Sequence, residues 1–318
     1  MIRLDLSNTT SFRAHRSGWG YCMSKLRHLH SKHGLYLDDF MDKSFGWNVH
    51  NLYKGETSVP YKRDWVGFLH NPPKVEHWFD ASNKPESLFK RKIFLESLPY
   101  CKCMISLSKY HADWVRSKLD VPVISLKHPT EIPLKKWSIN NFLKQKRKKV
   151  VQIGYWLRKM DSIYRLKCDS RMEKIWLPSD EAVALYNFES YTKTRANRKQ
   201  EKYIQSSVNI QRLSNEDFDD LLSNCIVFLD LDDASANNAI IESVARNTPI
   251  LINRHPAVEE YLGKDYPLYF NDLNHASSLL YDYDKIYETH NYFKSMDKTW
   301  ISGSYFANDL VSKLKDVI

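Results

Sequence analysis

Short hydrophobic runs recur along the chain, each closed by a polar or glycine-bearing stretch, with apolar residues at helical spacing between them. The clearest unit runs from Val227 to Phe270. Ile226–Leu231 is an apolar run with β-branched and aromatic residues, which suits a strand covered on both faces. A loop of small and polar residues follows, from Asp232 and Asp233 through Ala234, Ser235 and Ala236 to Asn237 and Asn238. Ile240, Ile241, Val244 and Ala245 then share a helix face, and Asn247 with Pro249 marks the stop. Pro249–Ile252 reads as the next strand, and His255-Pro256 opens a loop and short helix that close at Gly263. Strand, loop, helix and strand in that order imply a parallel α/β sheet, with a ligand expected at the carboxyl ends of its strands. N–H groups at the helix start would face an anion there.

The same alternation extends over the rest. Met1–Leu6 predicts a first strand, followed by a loop through Arg16, Gly18 and Trp19 and a helix that stops near Gly34. Trp65–Leu69 is an apolar strand ending in His70 and Asn71, and Pro72-Pro73 forbids its continuation. A helical region spans 88–98, and Met104–Ser108 and Val121–Leu126 are strands on either side of a helix from Lys109. Aromatic positions Tyr110 and Trp114 on that helix read as packing. Lys148–Gly154 starts a new strand after the basic run 144–149, the clearest boundary in the chain. Lys174–Leu177 and Val208–Arg212 are further strands, 191–205 is a polar surface segment, and a helix capped by Ser214 or Asn215 reaches Leu222. The tail predicts a last helix burying Tyr305, Phe306, Leu310, Val311 and Leu314.

With 318 residues there is material for two domains, each with its own core. No apolar run approaches the ~20 residues that span a bilayer, and the first residues lack the apolar stretch of a signal peptide, so a cytoplasmic location is expected. Five cysteines without metal-ligand spacing read as reduced, buried thiols rather than a metal site. The formal charge of +9 is spread widely, which argues against a nucleic-acid partner and suits an anionic donor, an acidic glycan or peripheral contact with an anionic membrane. His70, at a strand's carboxyl end, is placed to face a cleft, where a side chain with an ordinary pKa near ~6.5 can hold a hydroxyl or move a proton.

The 226–270 unit resembles the nucleotide-sugar-binding half of a GT-B glycosyltransferase. The resemblance implies an α/β fold of GT-B architecture, two Rossmann-like domains facing a cleft. The domains would span 1–134 and 149–299, joined by a basic linker at 135–148, with 300–318 returning to the first domain. It implies a hexosyl- or pentosyltransferase that moves sugar from a nucleoside diphosphate, UDP or GDP, to a hydroxyl of a glycan, glycoprotein or other acceptor, with no metal and no further cofactor. In the family the second domain opens with a strand, a glycine turn and cations for the donor diphosphate, which Gly154, Arg158 and Lys159 match. Ser235, Ala236, Asn237 and Asn238 would complete that grip, Glu242 would bind ribose, and Arg212 and Leu213 would lie beside the base. Arg16, Gly18, Trp19 and Asn71 would border the acceptor side of the cleft, with His70 as a catalytic candidate. Retaining members carry a further Glu where Ala234 stands, so Asp232, just before it, becomes the second catalytic candidate. The alternative is an inactive protein of the same fold that binds glycan or nucleic acid.

Overall fold

The computed structural model describes residues 2–9, 18–47, 59–75, 84–178 and 208–318. Strands β1 (Leu4–Asp5), β2 (Leu35–Asp38), β3 (Trp65–Phe68), β4 (Cys101–Ser106) and β5 (Val123–Ser125) form a parallel sheet in sequential order. Between them lie α1 (Trp19–Leu26), α2 (Pro85–Phe89), α3 (Lys92–Ser97) and α4 (Lys109–Arg116). Strands β6 (Lys148–Ile153), β7 (Met172–Leu177), β8 (Asn209–Ile210), β9 (Ile226–Leu229), β10 (Ile250–Asn253) and β11 (Tyr269–Phe270) form a second parallel sheet. Its order is β11-β10-β9-β6-β7-β8, so the direction of winding reverses between β6 and β9. A crevice opens at the carboxyl ends of strands where the order reverses.

The described helices of the second half include α5 (Ile139–Lys144), α6 (Ser162–Arg165), α7 (Asn215–Leu222), α8 (Asn238–Arg246), α9 (Pro256–Leu262), α10 (Leu273–Leu279) and α11 (Tyr283–Ser295). Apart from β8, whose Asn209 is exposed, the strands are largely buried, as helices on both faces of a parallel sheet require. The last helix, α12 (Gly303–Val317), places Phe306, Ala307, Leu310 and Leu314 in one core with Leu4, Trp19, Leu26 and Phe68 of the first domain. Tyr305 stays exposed and Val311 half-buried, because the buried stripe follows 306, 310 and 314, one turn apart.

Two elements lie where the hydrophobic pattern is weak. β2 is a short strand running straight into Asp38, Asp39 and Asp42, all buried. The basic segment before β6 contains α5, whose Phe142 is buried with Trp137 in the second core. The polar segment 191–205 lies outside the described residues. The five thiols are free, and Cys168 alone is not fully buried. No described helix is long and apolar enough to cross a membrane.

Candidate active site

β6 ends at Ile153 and the chain turns at Gly154, whose φ of +71° favours glycine. Leu157 takes φ +56° although it carries a branched side chain, a local strain that the surrounding bonds hold in place. Lys159 N–H donates to Asp230 O at 2.8 Å and Asp232 N–H to Leu157 O at 3.0 Å, which straps the turn to the chain leaving β9. Arg158 lies in the middle of this strap. Its Nε donates to Ile153 O at 3.0 Å, Nη1 to Trp156 O, and Nη2 approaches Asn237 Oδ1 at 3.4 Å. Burial lowers its pKa to about 10, and among the described residues no carboxylate forms an ion pair with it. A guanidinium held by carbonyls without a countercharge is a ready anion site.

Asn237 caps α8: its Oδ1 accepts from Ala239 N–H at 3.0 Å and so ties the Arg158 side chain to the helix start. The positive end of α8 and the Arg158 cation thus point into one space. That space is a cavity of about 260 Å³, lined on this side by Trp156, Leu157, Arg158 and residues 233–238. The first domain supplies the facing wall: Trp19, Phe40, His70, Asn71, Pro72, Leu107 and His128.

His70 is half-buried, and its backbone N–H donates to Asp42 Oδ2 at 2.8 Å. Its Nε2 lies 3.2 Å from the Asp39 carbonyl oxygen, which fixes the proton on Nε2 and leaves Nδ1 as an acceptor. The ring stacks on Phe40 at 4.0 Å and meets Trp19 edge-on at 4.4 Å. Burial, with smaller contributions from His128 and His111, lowers its pKa to about 3, so the ring is neutral at physiological pH. His128 holds its own proton on Nδ1, 2.7 Å from Pro129 O, and Nε2 faces the Cys22 thiol at 3.5 Å. Burial raises the Cys22 pKa, so that thiol stays protonated.

The carboxylate on the cavity wall is Asp233, with Asp232 outside the lining. Asp233 Oδ1 accepts from His255 Nε2 and Ala234 N–H, each at 2.8 Å, and Oδ2 accepts from Lys74 N–H at 2.7 Å. Burial opposes its ionisation, but these hydrogen bonds outweigh it and hold the pKa below the usual carboxylate value. Ser235 Oγ reaches His111 Nδ1 at 3.0 Å and Ser108 Oγ at 3.3 Å. Glu260 Oε2 and Oε1 accept from Lys109 and Tyr110 N–H, both at 2.7 Å, and Tyr261 Oη donates to Leu107 O at 2.7 Å. The second domain therefore grips the first at residues 107–111, beside the cavity.

Of the residues singled out in the sequence, Trp19, His70, Asn71, Arg158, Ser235, Ala236, Asn237 and Asn238 share this cavity. Lys159 turns away, its Nζ 2.8 Å from Asp230 Oδ1, and lines a separate cavity with Arg254 and Asn271. Asp230 also accepts from Ser162 Oγ at 2.7 Å. Glu242 is buried on α8 with its Oε2 3.6 Å from Arg246 Nη1, outside the cavity lining. Gly18 precedes α1 as its N-cap. Arg212 is exposed and Leu213 half-buried just before α7. Arg16 lies outside the described residues. Asp233, Phe40, Leu107, His128 and Trp156 are lining residues that motif matching missed; the adjacent acidic pair was the one available signal, and register chose its second member.

No protein-family model and no curated protein matches the chain in sequence. Solved structures match it by fold. HepE of Anabaena in complex with UDP and glucose is 11% identical with a TM-score of 0.63, over 80% of this chain and 72% of that one. Sucrose-phosphate synthase of Thermosynechococcus elongatus is 11% identical with a TM-score of 0.66, over 89% and 73%. The trehalose-6-phosphate synthase OtsA is 11% identical with a TM-score of 0.59, over 94% and 77%. These are GT-B proteins, and the chain has the GT-B fold of two Rossmann-like domains.

Proposed function

We propose that the protein is a glycosyltransferase that takes a sugar from a nucleoside-diphosphate donor and joins it to an acceptor hydroxyl. The observation that carries this reading is Arg158, a cation without a carboxylate ion pair among the described residues, aimed with the start of α8 into a cavity at the reversal point of the second sheet. The donor diphosphate would lie there, held by the guanidinium and by N–H groups of the 235–238 segment. The bond from the anomeric carbon to the β-phosphate oxygen breaks, and the acceptor oxygen forms the new bond as its proton passes to solvent. The nucleoside diphosphate leaves. Charge building on the leaving oxygen is stabilised by dipoles and a cation already in place, so the grip needs no metal.

The transferred sugar would then meet the first-domain wall. His70, neutral with Nδ1 free to accept, receives a sugar hydroxyl rather than acting as a strong base. UDP bound in the HepE structure supports uracil as the base to try first. Glu242, buried on α8 with Oε2 3.6 Å from Arg246 Nη1, is the candidate for the ribose hydroxyls in this reading. The test is release of nucleoside diphosphate from UDP- and GDP-sugars in the presence of a chelator, with simple glycans as acceptors. Transfer that persists without metal supports the reading. Tight nucleotide-sugar binding with no transfer to any acceptor would favour an inactive binding protein of this fold.

A further inference from the structure

Asp38, Asp39 and Asp42 are buried carboxylates behind the first-domain wall of the cavity, a costly arrangement for a core that could have been apolar. Each is spent on a group of that wall. Asp42 accepts from two successive backbone N–H groups, His70 through Oδ2 at 2.8 Å and Asn71 through Oδ1 at 3.1 Å. Asp39 accepts Trp19 Nε1–H through Oδ2 at 3.1 Å, and its carbonyl receives His70 Nε2–H at 3.2 Å. Asp38 Oδ1 accepts from Phe40 N–H and Ser44 Oγ, both at 3.0 Å, and Oδ2 from Tyr61 Oη at 3.0 Å, which fixes the Phe40 ring that stacks on His70.

We infer that Asp42 is a positioning residue for the sugar end of the cavity: its carboxylate clamps the His70-Asn71 backbone and so sets the direction of the His70 Nδ1 acceptor. Asp39 completes the clamp from the ring side. The proposal rests on the glycosyl-transfer reading for its kinetic consequence, but the clamp itself is a property of the free protein. Sequence distance supports a dedicated purpose. β2 and β3 already pair through Tyr36–Trp65, Leu37–Val66 and Asp38–Gly67, so the strands need no further bond beyond their ends. The two Asp42 bonds begin after β3 has ended, where the chain leaves the sheet and enters the cavity wall. Burial raises the Asp42 pKa to about 6, against the opposing effect of the two N–H donors, so the clamp is ionised at pH 7 and weakens as the medium turns acid.

Asp42→Asn is the test, because it keeps the shape but turns one acceptor into a donor facing an N–H. With the transferase active, kcat falls at least tenfold while the dissociation constant for UDP alone, which touches the Arg158 side, stays within twofold. Adding Asp42→Asn to His70→Ala costs less than threefold more, because the clamp acts through that residue. Histidine-selective nitrogen NMR reads the clamp with no donor present. The His70 signal of the wild type is that of a fixed Nε2–H tautomer, and in Asp42→Asn it becomes an exchange-averaged pair. An unchanged His70 signal in a folded variant overturns the inference, whatever the protein's activity. Equal losses of UDP binding and kcat overturn it as well, since they report general damage. Absence of nucleotide binding in the wild type would instead overturn the transferase reading and leave the NMR result to decide the clamp.

Discussion

Arg158 and His70 sit on opposite walls of one cavity and face opposite demands. For Arg158 the demand is charge: losing a charge-assisted hydrogen-bonding group costs about 1.5–3 kcal/mol. Arg158→Ala is therefore expected to weaken UDP binding at least tenfold by calorimetry, and Arg158→Lys to recover part of it, since an ammonium keeps the charge but not the planar fork. For His70 the demand is an acceptor. His70→Ala is expected to lower kcat/KM about tenfold while leaving the shape of the pH profile between pH 7 and 8 unchanged, because a ring with a pKa of about 3 does not titrate there and the Asp42 carboxylate, at about 6, is already ionised. Its burial also has a stability consequence of fixed sign. The unfolded ring takes up its proton near ~6.5 and the folded ring only near 3, so its contribution is complete above ~6.5 and is lost as pH falls. The stability of the wild type relative to His70→Asn should fall by up to about 1.4 kcal/mol per pH unit from pH 6.5 to 5, measured by urea unfolding.

Local geometry decides which members of each sequence motif reach the cavity. In the strap between β6 and β9, Arg158 pairs with Leu231 in an antiparallel bridge, so its neighbour Lys159 faces the other side and joins Asp230. Successive side chains of an extended segment alternate, and no motif letter records which one points in. Glu242 illustrates a different blind spot: its carboxylate is buried on α8 with Oε2 3.6 Å from Nη1 of Arg246, one helical turn on, and Asp219 of α7 holds that arginine at 2.6 Å. The β9-loop-α8-β10 unit was legible because its apolar runs are long and its cap residues are distinctive. β2 was not, because a strand four residues long running into three aspartates reads as a loop until its donors are known. The turn itself is testable: a Cβ on Gly154 would lie 3.3 Å from Arg158 Cζ at a φ of +71°. Gly154→Ala should leave the protein folded but weaken UDP binding severalfold, in the same direction as Arg158→Ala.

For the whole molecule, the two sheets divide the work. The first sheet keeps its strands in sequential order and contributes a wall, whereas the second reverses between β6 and β9 and so opens the crevice that holds Arg158. Bonds from Glu260, Tyr261, Ser235 and Asp233 then fasten the first domain beside that crevice. Removing the Glu260 carboxylate leaves two N–H groups at the start of α4 without their acceptor. Glu260→Ala should speed hydrogen exchange at Lys109 and Tyr110 and raise the donor KM, since the wall across from Arg158 is then held less firmly. The fastening was not readable in the sequence, because it joins residues more than a hundred positions apart.

The most direct measurement is thermal unfolding of wild type and Arg158→Ala with UDP and GDP, each with a chelator present. A ligand at a hundred times its dissociation constant stabilises the native state by about 2.7 kcal/mol, a rise on the order of 2–4 °C in a chain of two domains. The account predicts that rise for the wild type with one of the two nucleotides and its loss in Arg158→Ala. A wild-type midpoint that neither nucleotide moves, or an Arg158→Ala protein that responds as the wild type does, would contradict it.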